Sequence, residues 1–276
     1  MSNIIEAFNE YLSVVKSLNT HTIESYLSDI QQLQEFSQKN VTTLDTEDVL
    51  KFLAHFKNRR TLNRKLSSIN QFFNFCHSQS LSPQAKLNIP MVKVPKTLPK
   101  YLSFDEIVSR ITLIERQAKS GLRDYALILF LYATGARVSE ALNVQRRDIH
   151  QGWVTIRFAK NQKERVVPIA PIALQALEEY LKIAPMTSEY IWLNNRDTQL
   201  SRISAYKIVK KYLGVSPHVL RHSFASSLIV GGANLKVVQE LLGHSSLVTT
   251  QIYTHIESKE LQKTINTHHP LAKESA

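Results

Sequence analysis

Cysteine is almost missing from this 276-residue chain: Cys76 is the only one. A single thiol excludes an internal disulfide framework and any multi-cysteine zinc or iron–sulfur site within one chain. Cys76 follows Phe72, Phe73 and Phe75, which marks it as a small core residue. Glycine is scarce as well, with 7 residues, so flexible Gly-rich linkers, collagen-like repeats and multi-glycine phosphate loops are not expected. No window approaches the roughly 18 consecutive apolar residues of a membrane span. The opening stretch MSNIIEAFNEYLS carries acids early and has no long apolar core, which is unlike a signal peptide. The expected location is the cytoplasm. Acidic charge is the last shortage: 23 Asp and Glu face 34 Lys and Arg, a formal net charge of +11. Such a surplus points to a polyanionic partner, a nucleic acid or an acidic membrane.

What is present suits a folded protein. The apolar fraction is 43% and the charged fraction 21%, ordinary values for soluble domains. The length allows one large domain or two smaller ones. The first hundred residues read as successive helices. Ile4, Ile5, Phe8, Tyr11, Leu12 and Val15 recur at helical spacing. Ile23, Tyr26, Leu27, Ile30, Leu33 and Phe36 form a second stripe after Asn19-Thr20. Thr46-Glu47-Asp48 opens a third helix, and a fourth runs from about Arg60 to Gln79. Pro90, Pro95 and Pro99 then fall within NIPMVKVPKTLPKYLS, a density that prevents helix and favours an extended strap. The expected organisation is therefore a helical domain over 1–88, a linker over 89–100 and a second domain over 101–276, with a short tail from about 258. Residues 1–100 hold 12 Lys and Arg against 8 Asp and Glu, and the remainder 22 against 15. Two basic domains on a basic strap suit a clamp around a duplex.

The second domain is mixed. Leu122–Ala133 reads as a strongly apolar central helix. Trp153–Phe158 alternates like a strand, Val166–Ile169 like its hairpin partner across AKNQKER, and Tyr190–Leu193 like a third strand. Helices are expected near 171–183, 202–213, 217–230 and 234–242, with a short one near 247–255.

Five stretches carry residue types suited to phosphate chemistry. They are TGARVSE with Arg137 and Glu140, the hairpin AKNQKERVV with Lys160, Lys163 and Arg165, PHVLRH with His218 and Arg221, LLGHSS with His244, and TTQIYTH with Tyr253. Taken singly, each has an ordinary reading. Arg137 suits a surface pair with Glu140, a Lys-rich turn is normally just solvated, and Tyr253 suits a half-buried tyrosine. His218 and His222 stand four apart, but zincins need Glu directly after the first His and this chain has Val219 there, so no metal site is expected. Together, two Arg, a Lys and two His can surround a phosphodiester with donors. Guanidinium groups match the equatorial oxygens of a pentavalent phosphorane, and a tyrosine can attack to form a phosphotyrosine. Nothing suggests acidic Mg²⁺ ligands, and a Walker-type loop is missing, so neither cofactor nor ATP is expected.

At these residues the chain resembles the tyrosine site-specific recombinases, most strongly the bacterial and archaeal Xer branch. TGARVSEALNV, AKNQKERVVPI, PHVLRHSFAS and LLGHSSLVTTQIYTHI lie in the family's order and spacing, and the tail THHPLA also fits. The resemblance covers nearly the whole chain. It implies a mainly α fold with a small antiparallel β-sheet, arranged as a two-domain C-shaped DNA clamp. A four-helix core-binding domain would precede the catalytic domain. It implies that Arg137 and Arg221 hold the scissile phosphate and that Lys160 protonates the leaving 5′ oxygen, with Lys163 as the alternative. His218 would act as general acid–base, His244 would donate to a phosphate oxygen, Tyr253 would attack, and Glu140 would orient Arg137. The family's glycines beside the hairpin Lys are replaced here by Ala159 and Asn161. Lys57, Arg59, Arg60, Arg64, Lys65, Lys163 and Arg165 are the expected DNA contacts.

The implied reaction cuts and rejoins DNA through a 3′-phosphotyrosyl link, as in Xer-type resolution of chromosome or plasmid dimers at a dif-like site. The implied partners are duplex DNA with paired half-sites, further subunits in a homo-tetramer or a hetero-tetramer with a second recombinase, and a DNA translocase of the FtsK type. The tail would dock on a neighbouring subunit. Three other readings use the same residues: an integrase or resolvase of a mobile element, a type IB topoisomerase-like enzyme, and a non-catalytic DNA-binding protein on the same scaffold.

Overall fold

The computed structural model describes residues 2–81, 89–95, 100–157, 164–186, 188–243 and 258–273. The chain divides into two compact units, Met1–Thr97 and Leu98–Ala276. Among its described residues, the first is built of α1 (Ser2–Glu10), α2 (Thr20–Ser37), α3 (Thr46–Ala54) and α4 (Arg59–Ser78). Side-chain caps start three of them. Asn19 accepts from Thr22 N–H, Asp45 and Asp48 form a capping box, and Asn58 accepts from Arg60 and Thr61 N–H. The third helix thus begins at Thr46, as expected, with Asp45 as its cap. The apolar stripes meet in a core of Phe8, Leu12, Ile30, Leu33, Leu66, Ile69 and Phe72. Phe8 meets Phe72 edge-on at 5.1 Å. Cys76 lies inside this core, fully buried.

One expected stripe turns aside. After α1 the chain makes a π-helical turn, Tyr11–Val15. The wider turn rotates Val15 outward, and it is 66% exposed. Phe36 also sits at the margin, its ring 4.9 Å from that of His55.

The second unit is organised around α6 (Lys119–Thr134). Every residue from Ala126 to Thr134 is buried, as befits a helix that is apolar all round. Around it lie α5 (Phe104–Ile111), α7 (Val138–Leu142), α8 (Pro171–Ile183), α9 (Arg202–Leu213), α10 (Pro217–Val230) and α11 (Leu235–Leu242). A three-stranded antiparallel sheet has the order β1 (Ile149–His150), β2 (Trp153–Arg157), β3 (Glu164–Pro168). The β2–β3 register pairs Thr155 with Val166 and Arg157 with Glu164. The turn of this hairpin, residues 158–163, lies outside the described residues, as does the short helix expected near 247–255.

The expected third strand at Tyr190–Leu193 is not a strand of this sheet. Among the described residues it makes only isolated bridges, Gln145 to Tyr190 and Leu193 to Gln199. Ile191, Trp192 and Leu193 are all buried, so the run does not alternate as a half-exposed strand must. Its N–H groups go to Val144 O and to the Tyr180 hydroxyl instead. Trp192 stacks on Tyr180 at 5.9 Å.

The tail forms α12 (Ser258–His268) and α13 (Pro270–Lys273). Leu261, Ile265 and Leu271 join the core of the second unit itself. In the single chain these apolar residues pack within their own unit. His269 is fully buried among them. It faces the rings of Tyr132 and Phe224 at 5.0 and 5.4 Å and donates from Nε2 to Tyr132 O at 3.3 Å.

Candidate active site

Two helix ends and one strand deliver the site. α6 stops at Gly135, whose φ of +60° is open to glycine and strained for other residues. An added Cβ there would lie 2.4 Å from Phe224 Cδ1. The turn places Arg137 as the residue that leads into α7. Its backbone N–H donates to Glu140 Oε2 at 2.9 Å and its Nη1 to Glu140 Oε1 at 2.6 Å. The Arg137 side chain remains 40% exposed while that of Glu140 is 6% exposed.

Arg221 comes from the second turn of α10, and its side chain is 10% exposed. Nη1 donates to Gly135 O and Nη2 to Leu242 O, both at 2.7 Å. These carbonyls sit at the C-terminal ends of α6 and α11, where backbone oxygens lack helical partners and carry partial negative charge. Burial and then the Arg137 charge bring its pKa down to about 10, so it stays cationic at neutral pH. Its Nη1 lies 3.9 Å from Glu140 Oε2.

A third guanidinium completes the cluster. Arg165 donates from Nη2 to Glu140 Oε2 and from Nε to Leu241 O, both at 2.8 Å. Its side chain is 7% exposed. Burial alone pushes the Glu140 carboxyl up. The Arg165 hydrogen bond and charge, with the Arg137 bonds, outweigh it and hold the pKa below the usual carboxylate value. One carboxylate thus meets three cations, and the surplus positive charge opens to solvent on the Arg137 side. A cluster of this sign suits a phosphate and repels a metal ion.

His218 stands one turn before Arg221 and is exposed. Partial burial, then the charges of Arg202, His222, Arg221 and Arg137, hold its pKa below the ordinary histidine value. It is neutral at neutral pH and able to accept a proton.

The structure thus brings together Arg137, Glu140, Arg165, His218 and Arg221 of the expected residues. Lys160, Lys163, His244 and Tyr253 lie outside the described residues. Two expected DNA contacts are corrected. Arg165 points inward, as described. Lys65 is 3% exposed and donates to Asp29 Oδ1 at 2.8 Å and Gln32 Oε1 at 2.7 Å. Its ammonium also lies 5.3 and 4.7 Å from the ring centroids of Phe52 and Phe56. Neither side chain can reach a duplex. Lys57, Arg59 and Arg60 are exposed near the start of α4, with Arg59 donating to Lys93 O at 3.3 Å. Arg64 is exposed but tied to Asp29 through both Nη atoms and to Ser25 at 2.7 Å.

Strand alternation held the signal for Arg165. Glu164 and Val166 face out, whereas Arg165 and Val167 are buried. The period of two places Arg165 on the core face. Arg202, at the first position of α9, contributes to the field on His218. No short motif marks it, because that proximity exists only after α9 packs beside α10.

Comparison with known proteins shows the family of the chain. Residues 100–260 match the Phage integrase family, and residues 5–80 match the Phage integrase, N-terminal SAM-like domain. The chain is 33% identical to the tyrosine recombinase XerC of Thermodesulfovibrio yellowstonii, covering 98% of this chain and 97% of that protein. It is 35% identical to the tyrosine recombinase XerD of Rhizobium meliloti, covering 98% and 96%. The fold is shared with the XerH site-specific recombinase in its post-cleavage complex with difH DNA. That match has a TM-score of 0.66 at 22% identity, over 95% of this chain and 94% of the other. The chain belongs to the phage integrase family and is a tyrosine recombinase of its Xer branch, a site-specific DNA recombinase.

Proposed function

We propose that Arg137 and Arg221 hold the scissile phosphate of a DNA strand while Tyr253 attacks it, and that the reaction resolves chromosome or plasmid dimers at a dif-like site. The observation that carries the reading is the surplus of guanidinium charge around buried Glu140, open on the Arg137 side. Attack by the Tyr253 hydroxyl oxygen forms a phosphorus–oxygen bond and breaks the bond to the 5′ oxygen. His218, neutral at neutral pH, takes the phenolic proton. Lys160 gives a proton to the departing 5′ oxygen, and His244 donates to a phosphate oxygen. The equatorial oxygens gain negative charge in this step, and guanidinium donors already in place stabilise it. The link stores the phosphodiester energy, so a 5′-hydroxyl from a partner strand reverses the step without ATP.

Duplex DNA with paired half-sites is the substrate, and the Xer branch supports a tetramer, of one chain or of two recombinases, as the active assembly. Lys57, Arg59, Arg60 and Arg64 are the proposed backbone contacts of the first unit. A translocase of the FtsK type is the expected activator, and the cytoplasm, where the chromosome lies, the expected place. Among the described residues, no helix is long and apolar enough to cross a membrane.

Covalent capture tests the reading. The protein is incubated with fragmented DNA of its source genome and denatured, and the attached DNA is sequenced. One enriched locus is expected, lost in Tyr253→Phe. Attachment spread over all sequences, or equal attachment by Tyr253→Phe, would overturn it.

A further inference from the structure

We infer that Arg165 is a positioning residue of the recombination reaction, holding Glu140 so that Arg137 and Arg221 keep their charge and aim for the phosphate. The inference rests on the reading that those two arginines bind the scissile group.

Geometry carries it. Arg165 rises from the core face of β3 and is nearly inaccessible, so it cannot touch DNA. Its Nη2 takes Glu140 Oε2 at 2.8 Å. The same oxygen lies 3.9 Å from Arg221 Nη1, beyond hydrogen-bond distance. Oε1 takes Arg137 Nη1, and Oε2 also takes the Arg137 backbone N–H. Arg165, with that N–H, therefore occupies the oxygen that would otherwise close on Arg221 and quench its charge. Its Nε meanwhile holds Leu241 O, and Arg221 Nη2 holds Leu242 O. Consecutive carbonyls at the end of α11 thus seat the two guanidiniums side by side. Those carbonyls lead directly, in sequence, to Gly243 and His244. Only a planar fork serves two such acceptors at fixed geometry; a lysine offers one point charge.

Among the described residues, the charged groups facing Glu140 are Arg137 from the α7 entry, Arg165 from β3 and Arg221 from α10, all cationic. Loss of Arg165 removes the strongest of the influences that keep the carboxyl ionised. The acid limb of the pH–rate profile then moves to higher pH.

The test is single-turnover cleavage of a duplex carrying the locus enriched by covalent capture, nicked beside the scissile phosphate. If the unaltered protein forms no adduct there, the reading of the site has failed. If it does, Arg165 is judged separately. Arg165→Met is expected to bind the duplex within about twofold of the unaltered protein but to cleave about 100-fold more slowly. Its acid limb moves up. Arg165→Lys recovers about tenfold. Arg165→Met combined with Glu140→Gln cleaves no more slowly than the slower of the two single variants, because Arg165 acts through that carboxylate. A 5′-phosphorothiolate, whose leaving group needs no proton donor, stays slow with Arg165→Met. Unchanged cleavage, losses that multiply in the double variant, or full rescue by the phosphorothiolate would overturn the inference. Should Arg165→Met fail to fold, Arg165→Lys decides: a folded Lys variant cleaving at the full rate overturns it, and a slower one with a shifted acid limb supports it.

Discussion

In each unit of this protein a buried carboxylate gathers several cations, and the two clusters differ in what they leave over. In the first unit Asp29, 1% exposed, accepts from Arg64, Lys65 and Ser68. The Lys65 ammonium is sealed beneath Phe52 and Phe56, and this cluster ties α2 to α4. In the second unit Glu140 draws in Arg137 and Arg165 with Arg221 nearby, but two of these guanidiniums are also seated on helix-end carbonyls. The difference teaches where function resides. A carboxylate that satisfies its cations inward makes a staple. One that organises more cations than it can neutralise, with one facing solvent, makes an anion site.

Glu140→Gln should separate the two most sharply. It leaves buried guanidiniums without a counter-charge, so DNA cleavage is expected to fall about 100- to 1,000-fold. The second unit should lose about 3 kcal/mol or more of stability. DNA binding, read by gel shift, should survive because net positive charge increases. Near-normal cleavage in a folded variant would reduce Glu140 to a staple like Asp29.

Asp29→Asn probes the other side. About 3 kcal/mol of stability should disappear from the first unit in chemical denaturation. Cleavage of DNA-saturated protein should change less than about threefold, since the Asp29 cluster touches no reacting group; a loss like that of Glu140→Gln would break the contrast. Burial pushes the Asp29 carboxyl up, but the hydrogen bonds from Arg64, Lys65 and Ser68 outweigh it and lower the pKa. Its contribution is therefore complete above the unfolded value near 4 and is lost as pH falls through the lower folded value.

His269 sharpens the comparison as a buried titratable group with no ionic partner among the described residues. Burial lowers its pKa to about 4, against a backbone bond to Tyr132 that raises it. The unfolded chain takes up a proton near pH 6.5 and the folded chain does not. Stability present above pH 6.5 is thus lost as pH falls toward about 4, by up to about 3 kcal/mol. Amide exchange in α12 and α13 should accelerate over that window. His269→Phe should remove the dependence; the same slope in that variant would assign it elsewhere.

The smallest expected effect belongs to Gly135→Ala. The left-handed backbone costs an alanine about 1–2 kcal/mol, and Phe224 must move to admit the methyl group. Because Gly135 O holds Arg221, cleavage should fall about tenfold beyond what melting predicts. A fall in melting temperature alone would mean that this carbonyl does not aim the arginine.

Composition and periodicity determined much of this protein directly. Apolar stripes, caps and breakers are local properties, so α2, α4, α6, α8, α9 and α10 were legible to within a few residues. The excess of Lys and Arg pointed to a polyanion, and motif order carried the family. Packing decided the rest. Tyr190–Leu193 looked like a strand because its residues favour strands, but its N–H groups go to Val144 O and the Tyr180 hydroxyl rather than to a strand of the sheet. Lys65 and Arg165 looked like DNA contacts because charge normally faces water. Each was drawn inward by a carboxylate distant in sequence: Asp29 on another helix, Glu140 in another segment. Whether a cation serves as surface charge, staple or aiming device depends on which acceptors surround it, and only the folded chain brings those acceptors together.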